Sequence, residues 1–275
     1  MSTPPILDIK ALTKTFGGAG GHTALDDVYL TVPTGSTVGL VGESGSGKST
    51  LLRCIVRLER PDSGAVMFDG RDVHRLRGAD LRAFRREVQL IPQDPYASLN
   101  PRMTVADIVS EGLVVHRLAR SRPQRRDRVA QALTEVGLDP GAMDRRPATF
   151  SGGQRQRIAI ARALVLEPRL LVCDEPVSAL DVSVQAQVVN LLADLHESRG
   201  VTILFIAHDL AIVQQLCARV AVLRAGVVVE EGATSQVFAT PRHRYTRELL
   251  EAVPVPDPLR ARTDRAVPGG ALTLP

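Results

Sequence analysis

Two stretches of the chain are apolar without alternation: LLVC at 170–173 and TILFIA at 202–207. A strand wet on one face alternates apolar and polar residues, so continuous runs of this length predict parallel strands covered on both faces. Between them Val184, Val188, Leu191, Leu192 and Leu195 recur at helical spacing, which predicts a helix over 182–199. Closer to the start, β-branched and apolar runs at 6–12 and 25–42, broken by Gly and Pro, predict strands of an edge sheet. TVGLVG at 37–42 runs directly into a glycine-rich stretch, and past Lys48 the residues Leu51, Leu52, Ile55 and Val56 return to helical spacing. AVMFDG at 65–70 predicts a strand ending in a turn, and VQLIPQ at 88–93 another strand with Gln93 at its end. Residues 104–146 predict arginine-rich helix, and VAVLRAGVVVEEG at 220–232 a hairpin turning at Ala225–Gly226. The segment from Pro254 has four prolines in fifteen residues and predicts a loose tail. Parallel strands alternating with helices place the chain in the α/β class.

Composition narrows the choices. The 275 residues allow one or two domains, and 44% apolar content suits a packed core. With 3% aromatic residues and no Trp, stacking platforms for single-stranded nucleic acid are not expected, and a net charge of +4 does not by itself imply a nucleic-acid partner. The arginine cluster RLARSRPQRRDRV at 117–129 is read as a solvated helix face rather than a nucleic-acid patch; steering of an anionic ligand and proximity to phospholipid heads stay open beside that reading. Cys54, Cys173 and Cys217 fit no zinc or iron–sulfur spacing and sit in apolar surroundings, so they are expected to be core residues in a reducing compartment. The opening MSTPPILDIK lacks a signal pattern, and VTILFIA at 201–207 is far shorter than the about 20 apolar residues that cross a bilayer. The chain is therefore expected to be soluble, reaching any membrane through partners.

Chemistry concentrates at two places. In GESGSGKST at 42–50 the glycines let backbone N–H groups turn inward as a nest for anionic oxygens, and the helix start adds its dipole. Lys48 would reach the β- and γ-phosphates and Ser49 would ligate Mg²⁺. Strand, glycine loop and helix follow in the order this motif requires. Asp174 and Glu175 end the buried run at 170–173, where α/β folds place ligands. An Asp there can hold Mg²⁺ through water, and a neighbouring Glu can polarise or deprotonate an attacking water.

GESGSGKST, FSGGQRQR at 150–157, LLVCDEP at 170–176, SALD at 178–181 and FIAHD at 205–209, in this order, resemble the ATP-binding subunit of ABC transporters over roughly residues 6–253. The resemblance implies a P-loop NTPase fold: a RecA-like parallel sheet core, an antiparallel β subdomain and an α-helical subdomain at about 95–160. These make up an ATP-binding domain over 1–253, with 254–275 as a Pro-rich tail. It implies that Gly42, Glu43, Ser44, Gly45, Ser46, Gly47, Lys48, Ser49 and Thr50 hold the phosphates of ATP. Ser151, Gly152, Gly153 and Gln154 would cap the γ-phosphate held by an opposite subunit, and Asp181 would lie in the loop exchanged between subunits. Glu175 would be the catalytic base. His208 would contact the γ-phosphate and hold the catalytic geometry, and Gln93 would sense Mg²⁺ and the attacking water. Mg²⁺ would be held through Ser49, Gln93 and Asp174. Phe16 stands at the position expected to stack on adenine, where Tyr is commoner. The other histidines, His22, His74, His116, His196 and His243, are read as surface or packing residues.

QDPYASLNPRMT at 93–104 and RHRYTRELLEAVPVPDP at 242–258 resemble the oligopeptide, dipeptide and nickel importer branch. Two departures stand out. Pro147-Ala148-Thr149-Phe150 replaces the branch's usual His-Glu before Phe, and Arg244 replaces its usual Pro. Neither touches phosphate chemistry. No Cys follows Cys217, so the cysteine-ligated cluster of some relatives is not expected. The branch implies a second ATP-binding subunit, identical or paralogous, two integral-membrane permease subunits and an extracytoplasmic solute-binding protein. It implies no nucleic acid, and a peripheral location on the cytoplasmic face of the cell membrane. Two alternatives are a soluble ATPase of this type acting with nucleic acid, ribosomes or a lyase complex, and an importer of nickel or another solute. The solute itself is selected in other chains.

Overall fold

The computed structural model describes residues 4–17 and 20–252. Strand β1 (Pro5–Phe16) pairs with β2 (His22–Pro33), and β3 (Thr37–Val41) leads to helix α1 (Lys48–Ile55). Next come β4 (Ser63–Phe68), the two-residue β5 (Arg71–Asp72), α2 (Gly78–Glu87) and β6 (Val88–Ile91). Four helices follow: α3 (Pro95–Ser98), α4 (Val105–Val115), α5 (Arg122–Glu135) and α6 (Gly152–Leu164). The chain then alternates β7 (Leu170–Asp174), α7 (Val182–Arg199), β8 (Thr202–Ala207) and α8 (Leu210–Leu216). It continues through β9 (Arg219–Arg224), β10 (Val227–Ala233), α9 (Thr234–Ala239) and α10 (Arg244–Glu251).

Two sheets result. The antiparallel one has the order β2-β1-β4-β5, and the larger one the order β10-β9-β3-β8-β7-β6, parallel from β9 to β6. The non-alternating runs lie at its centre. Leu170 and Val172 of β7, with Leu204 and Ile206 of β8, pack toward α1 and the antiparallel sheet. Leu171 and Cys173, with Ile203 and Phe205, pack toward α4 to α8. Both faces of these strands are thus covered, each side chain contributing about 1.5–3 kcal/mol through burial. The three cysteines are free and buried in this packing.

The helical stretch expected over 104–146 is interrupted. Arg117 adopts a left-handed φ of 56° after α4, and α5 restarts at the Ser121 cap with Pro123 in its first turn. Beyond α5 the chain makes short 3₁₀ turns at Pro140–Asp144 and Pro147–Thr149. On α5, Arg126 grips Asp144 with two bonds of 2.7 and 2.8 Å, and Arg128 bonds Glu167 at 2.6 Å. The hairpin turn falls at Ala225–Gly226, both with positive φ, as a two-residue turn between twisted strands requires. No helix among the described residues is long and apolar enough to cross a membrane. The Pro-rich segment from Pro254 lies outside the described residues.

Candidate functional site

Parallel topology brings the carboxyl ends of β3, β6, β7 and β8 together at one rim of the large sheet, the place where α/β sheets bind ligands. The glycine-rich loop leaves β3 here. Gly47 caps α1 with φ 108°, a left-handed conformation, and a Cβ there would run into the Ala24 carbonyl. Lys48 is the first residue of the helix. Its ammonium donates to the Gly42 carbonyl at 2.7 Å and the Glu43 carbonyl at 2.9 Å. Only 6% of Lys48 is exposed. Burial holds its pKa below the usual lysine range, opposed by Glu175, Asp174 and Glu43. Ser46 Oγ is buried without a hydrogen-bond partner. A largely buried ammonium lining a glycine loop is a group that an oxyanion ligand satisfies.

The acidic side lies opposite. Asp174 ends β7, and burial, with Glu175 next to it, raises its pKa above the usual carboxylate range. Glu175 stands in the left-handed region at φ 43°, while its N–H donates to the Ile206 carbonyl at 3.0 Å. A non-glycine residue held there stores strain of order 1–3 kcal/mol, a pattern typical of catalytic positions. The Glu175 carboxylate gathers two neighbours. Gln93 Nε2 donates to Oε2 at 3.3 Å, and His208 Nδ1 lies 3.0 Å from the same oxygen. A carboxylate oxygen accepts, so the His208 Nδ1–H is the donor and Nε2 is the ring's outer nitrogen. Gln93 also donates to Ser178 Oγ at 3.3 Å.

Between loop and carboxylates opens a cleft of about 490 Å³. Ser44, Gly45, Gly47, Lys48, Ser49 and Thr50 line one side, Gln93, Glu175 and His208 another, and Phe16, His22 and Ala24 the far end. His22, read from sequence as a surface or packing residue, is exposed and also lines the cleft. Cross-strand register pairs it with Phe16, so both side chains reach the same end of the cleft. Gly42, Glu43, Ser46 and Asp174 form the loop and strand behind the lining. Oxygen donors at Ser49, Gln93 and Asp174 suit Mg²⁺, which needs few protein ligands when phosphate and water supply the rest. Among the described residues no cluster of His, Cys, Asp and Glu could cage a metal unaided.

A second set of predicted site residues stays out of this cleft. Ser151 caps α6 in a reciprocal box: its Oγ accepts from the Gln154 N–H at 3.3 Å, and Gln154 Oε1 accepts from the Ser151 N–H at 3.0 Å. Gly153 packs so tightly on Val184 that any Cβ would overlap it. Asp181 caps α7, accepting from the Ser183 hydroxyl at 2.7 Å and the Val184 N–H at 3.1 Å, and these bonds lower its pKa. The Arg155 guanidinium stacks 4.0 Å over the Tyr96 ring, tying α6 to the segment after Gln93.

A nucleotide-sized cleft with a glycine loop, a buried lysine and an acidic strand end defines a P-loop NTPase. The ABC transporter family model matches residues 25–178, and a model of the oligopeptide/dipeptide transporter C-terminal region matches 229–272. The oligopeptide transport ATP-binding protein OppF of Bacillus subtilis is 50% identical over 93% of the chain and 85% of its own length. The dipeptide transport ATP-binding protein DppF of Lactococcus lactis is 48% identical over 94% of the chain and 84% of its own length. Among solved structures, cbiO1 of Clostridium perfringens superposes with a TM-score of 0.77 at 30% identity, covering 86% of this chain and 92% of that one. The ATP-binding cassette MJ0796, dimeric with ADP and Pi, gives 0.75 at 33% identity, covering 83% and 98%. The chain belongs to the ABC transporter family, as an ATP-hydrolysing cassette.

Proposed function

We propose that this cassette is the ATPase motor of a peptide importer, most directly one for oligopeptides or dipeptides. The observation that carries the reading is the split of the site within one chain. The phosphate loop and Glu175 share a cleft, while Ser151 to Gln154 cap a separate helix start outside it. The α6 start, exposed at Ser151 and outside the cleft, is suited to the γ-phosphate of another subunit. Each ATP would then join two cassettes, this chain with itself or with a paralogue. The C-terminal match at 229–272 and the OppF and DppF relatives support import.

Hydrolysis follows from the geometry. A water placed in line attacks the γ-phosphorus, the bond to the ADP oxygen breaks, and the water proton passes to Glu175. His208, held through Nδ1 by Glu175, would donate from Nε2 to the γ-phosphoryl oxygens as the imidazolium, the form in which both ring nitrogens carry hydrogen. Gln93 orients the same carboxylate and reports its state to residues 94–104. Ser49, Asp174 and Gln93 would hold Mg²⁺, which would supply charge neutralisation at the phosphates. Phe16 and His22, at the far end of the cleft, would flank the adenine. Closure would pull on two permease subunits at the cytoplasmic face of the membrane, with solute delivered by an extracytoplasmic binding protein.

Affinity purification of the chain from detergent-solubilised membranes tests this. Co-elution of two permeases, a cassette partner and a peptide-binding protein is expected. Co-elution with ribosomes or nucleic acid and no permease contradicts it.

A further inference from the structure

The described part of the region matching the oligopeptide/dipeptide C-terminal model reaches the phosphate loop. Tyr245 lies on α10 and is only 3% exposed. Its hydroxyl oxygen accepts from the Glu43 N–H at 3.0 Å, across 202 residues of sequence. Glu43 shares one planar peptide group with the Gly42 carbonyl. That carbonyl is the 2.7 Å acceptor of the Lys48 ammonium. One rigid peptide unit is therefore gripped at its N–H by Tyr245 and at its oxygen by Lys48.

The tyrosine is itself fixed from three sides. Glu230 of β10 accepts from the Arg242 N–H at 2.8 Å and the His243 N–H at 3.0 Å, setting the entry to α10. His243 Nδ1 accepts from the Tyr245 N–H at 3.1 Å as the helix cap. The Arg224 guanidinium stacks 4.7 Å from the ring centre. The neighbouring hairpin braces the loop further along, where the Gly226 N–H donates to the Ser46 carbonyl at 2.9 Å. We infer that Tyr245 is a positioning residue for nucleotide, its hydroxyl holding the Gly42–Glu43 peptide that aims the phosphate loop and Lys48. Through it, the C-terminal segment acts on ATP affinity. The inference rests on the assignment of this loop to ATP.

Tyr245→Phe keeps the ring and deletes the acceptor. A part-buried N–H that loses this partner turns to find another, so fewer molecules hold the binding-competent loop, and apparent affinity falls by that fraction. Titration of the full chain should show MgATP and MgADP bound about five- to tenfold more weakly, with KM raised and kcat at saturation within about twofold. Amide exchange at Glu43, measured without nucleotide, should quicken about tenfold. Arg247→Gln changes an exposed residue of the same helix and leaves the hydroxyl and its supports in place, and native affinity is expected. Unchanged affinity and exchange in Tyr245→Phe overturns the inference, as does an equal loss of affinity in Arg247→Gln. If the native chain failed to bind MgATP, the nucleotide reading would fall, while Glu43 exchange would still test the hydroxyl's grip.

Discussion

Lys48→Ala is expected to lose tight nucleotide binding, with affinity for MgATP down about 100-fold or more. The ammonium is desolvated, stands at the start of α1 and bonds two loop carbonyls, 2.7 and 2.9 Å away. Phosphate oxygens would take over those bonds as charge-assisted contacts, worth about 1.5–3 kcal/mol each. Losing contacts to two phosphates removes about 3–6 kcal/mol, and each 1.4 kcal/mol is a factor of ten. The fold should survive, because removing a buried charge also relieves its desolvation cost. Equilibrium titration alongside a thermal melt separates the two effects. Native affinity in a folded Lys48→Ala would refute the loop assignment.

Glu175→Gln is expected to bind MgATP with near-native affinity and to lose turnover by about 10²- to 10⁴-fold, the range that general-base groups supply. Gln preserves shape and hydrogen bonding but cannot take the water's proton. The residue is set by strained backbone at φ 43° and by Gln93 and His208, so the amide should occupy the same place. Bound ATP then persists, and the closed pair of cassettes should accumulate. Single-turnover phosphate release is the measurement. A native rate would remove Glu175 from the role of base.

The parts of this molecule that could be read from sequence share a physical reason. LLVC and TILFIA lack alternation because both faces of β7 and β8 are buried, so a one-dimensional pattern reports a three-layer packing. The glycine loop was legible because strand, nest and helix are contiguous in the chain. Glu175 and Asp174 were legible because they end such a strand. What sequence reasoning missed depends on long-range register. His22 reaches the cleft only because the β1–β2 pairing sets it opposite Phe16. Tyr245 meets Glu43 because β10 and α10 fold back along the loop, a contact that no local period encodes. The break at 116–121 was hidden because Arg117 takes a left-handed φ that glycine usually signals.

The central claim is that one ATP is gripped by the loop at 42–50 of one cassette and covered by the α6 start of another. Trapping ADP with orthovanadate in the purified complex, followed by ultraviolet light, cuts polypeptide wherever it touches the γ-phosphoryl position. Cleavage of this chain both within 42–50 and at Ser151 is predicted. Cleavage within 42–50 alone, with the 150–157 segment left whole, would contradict the account.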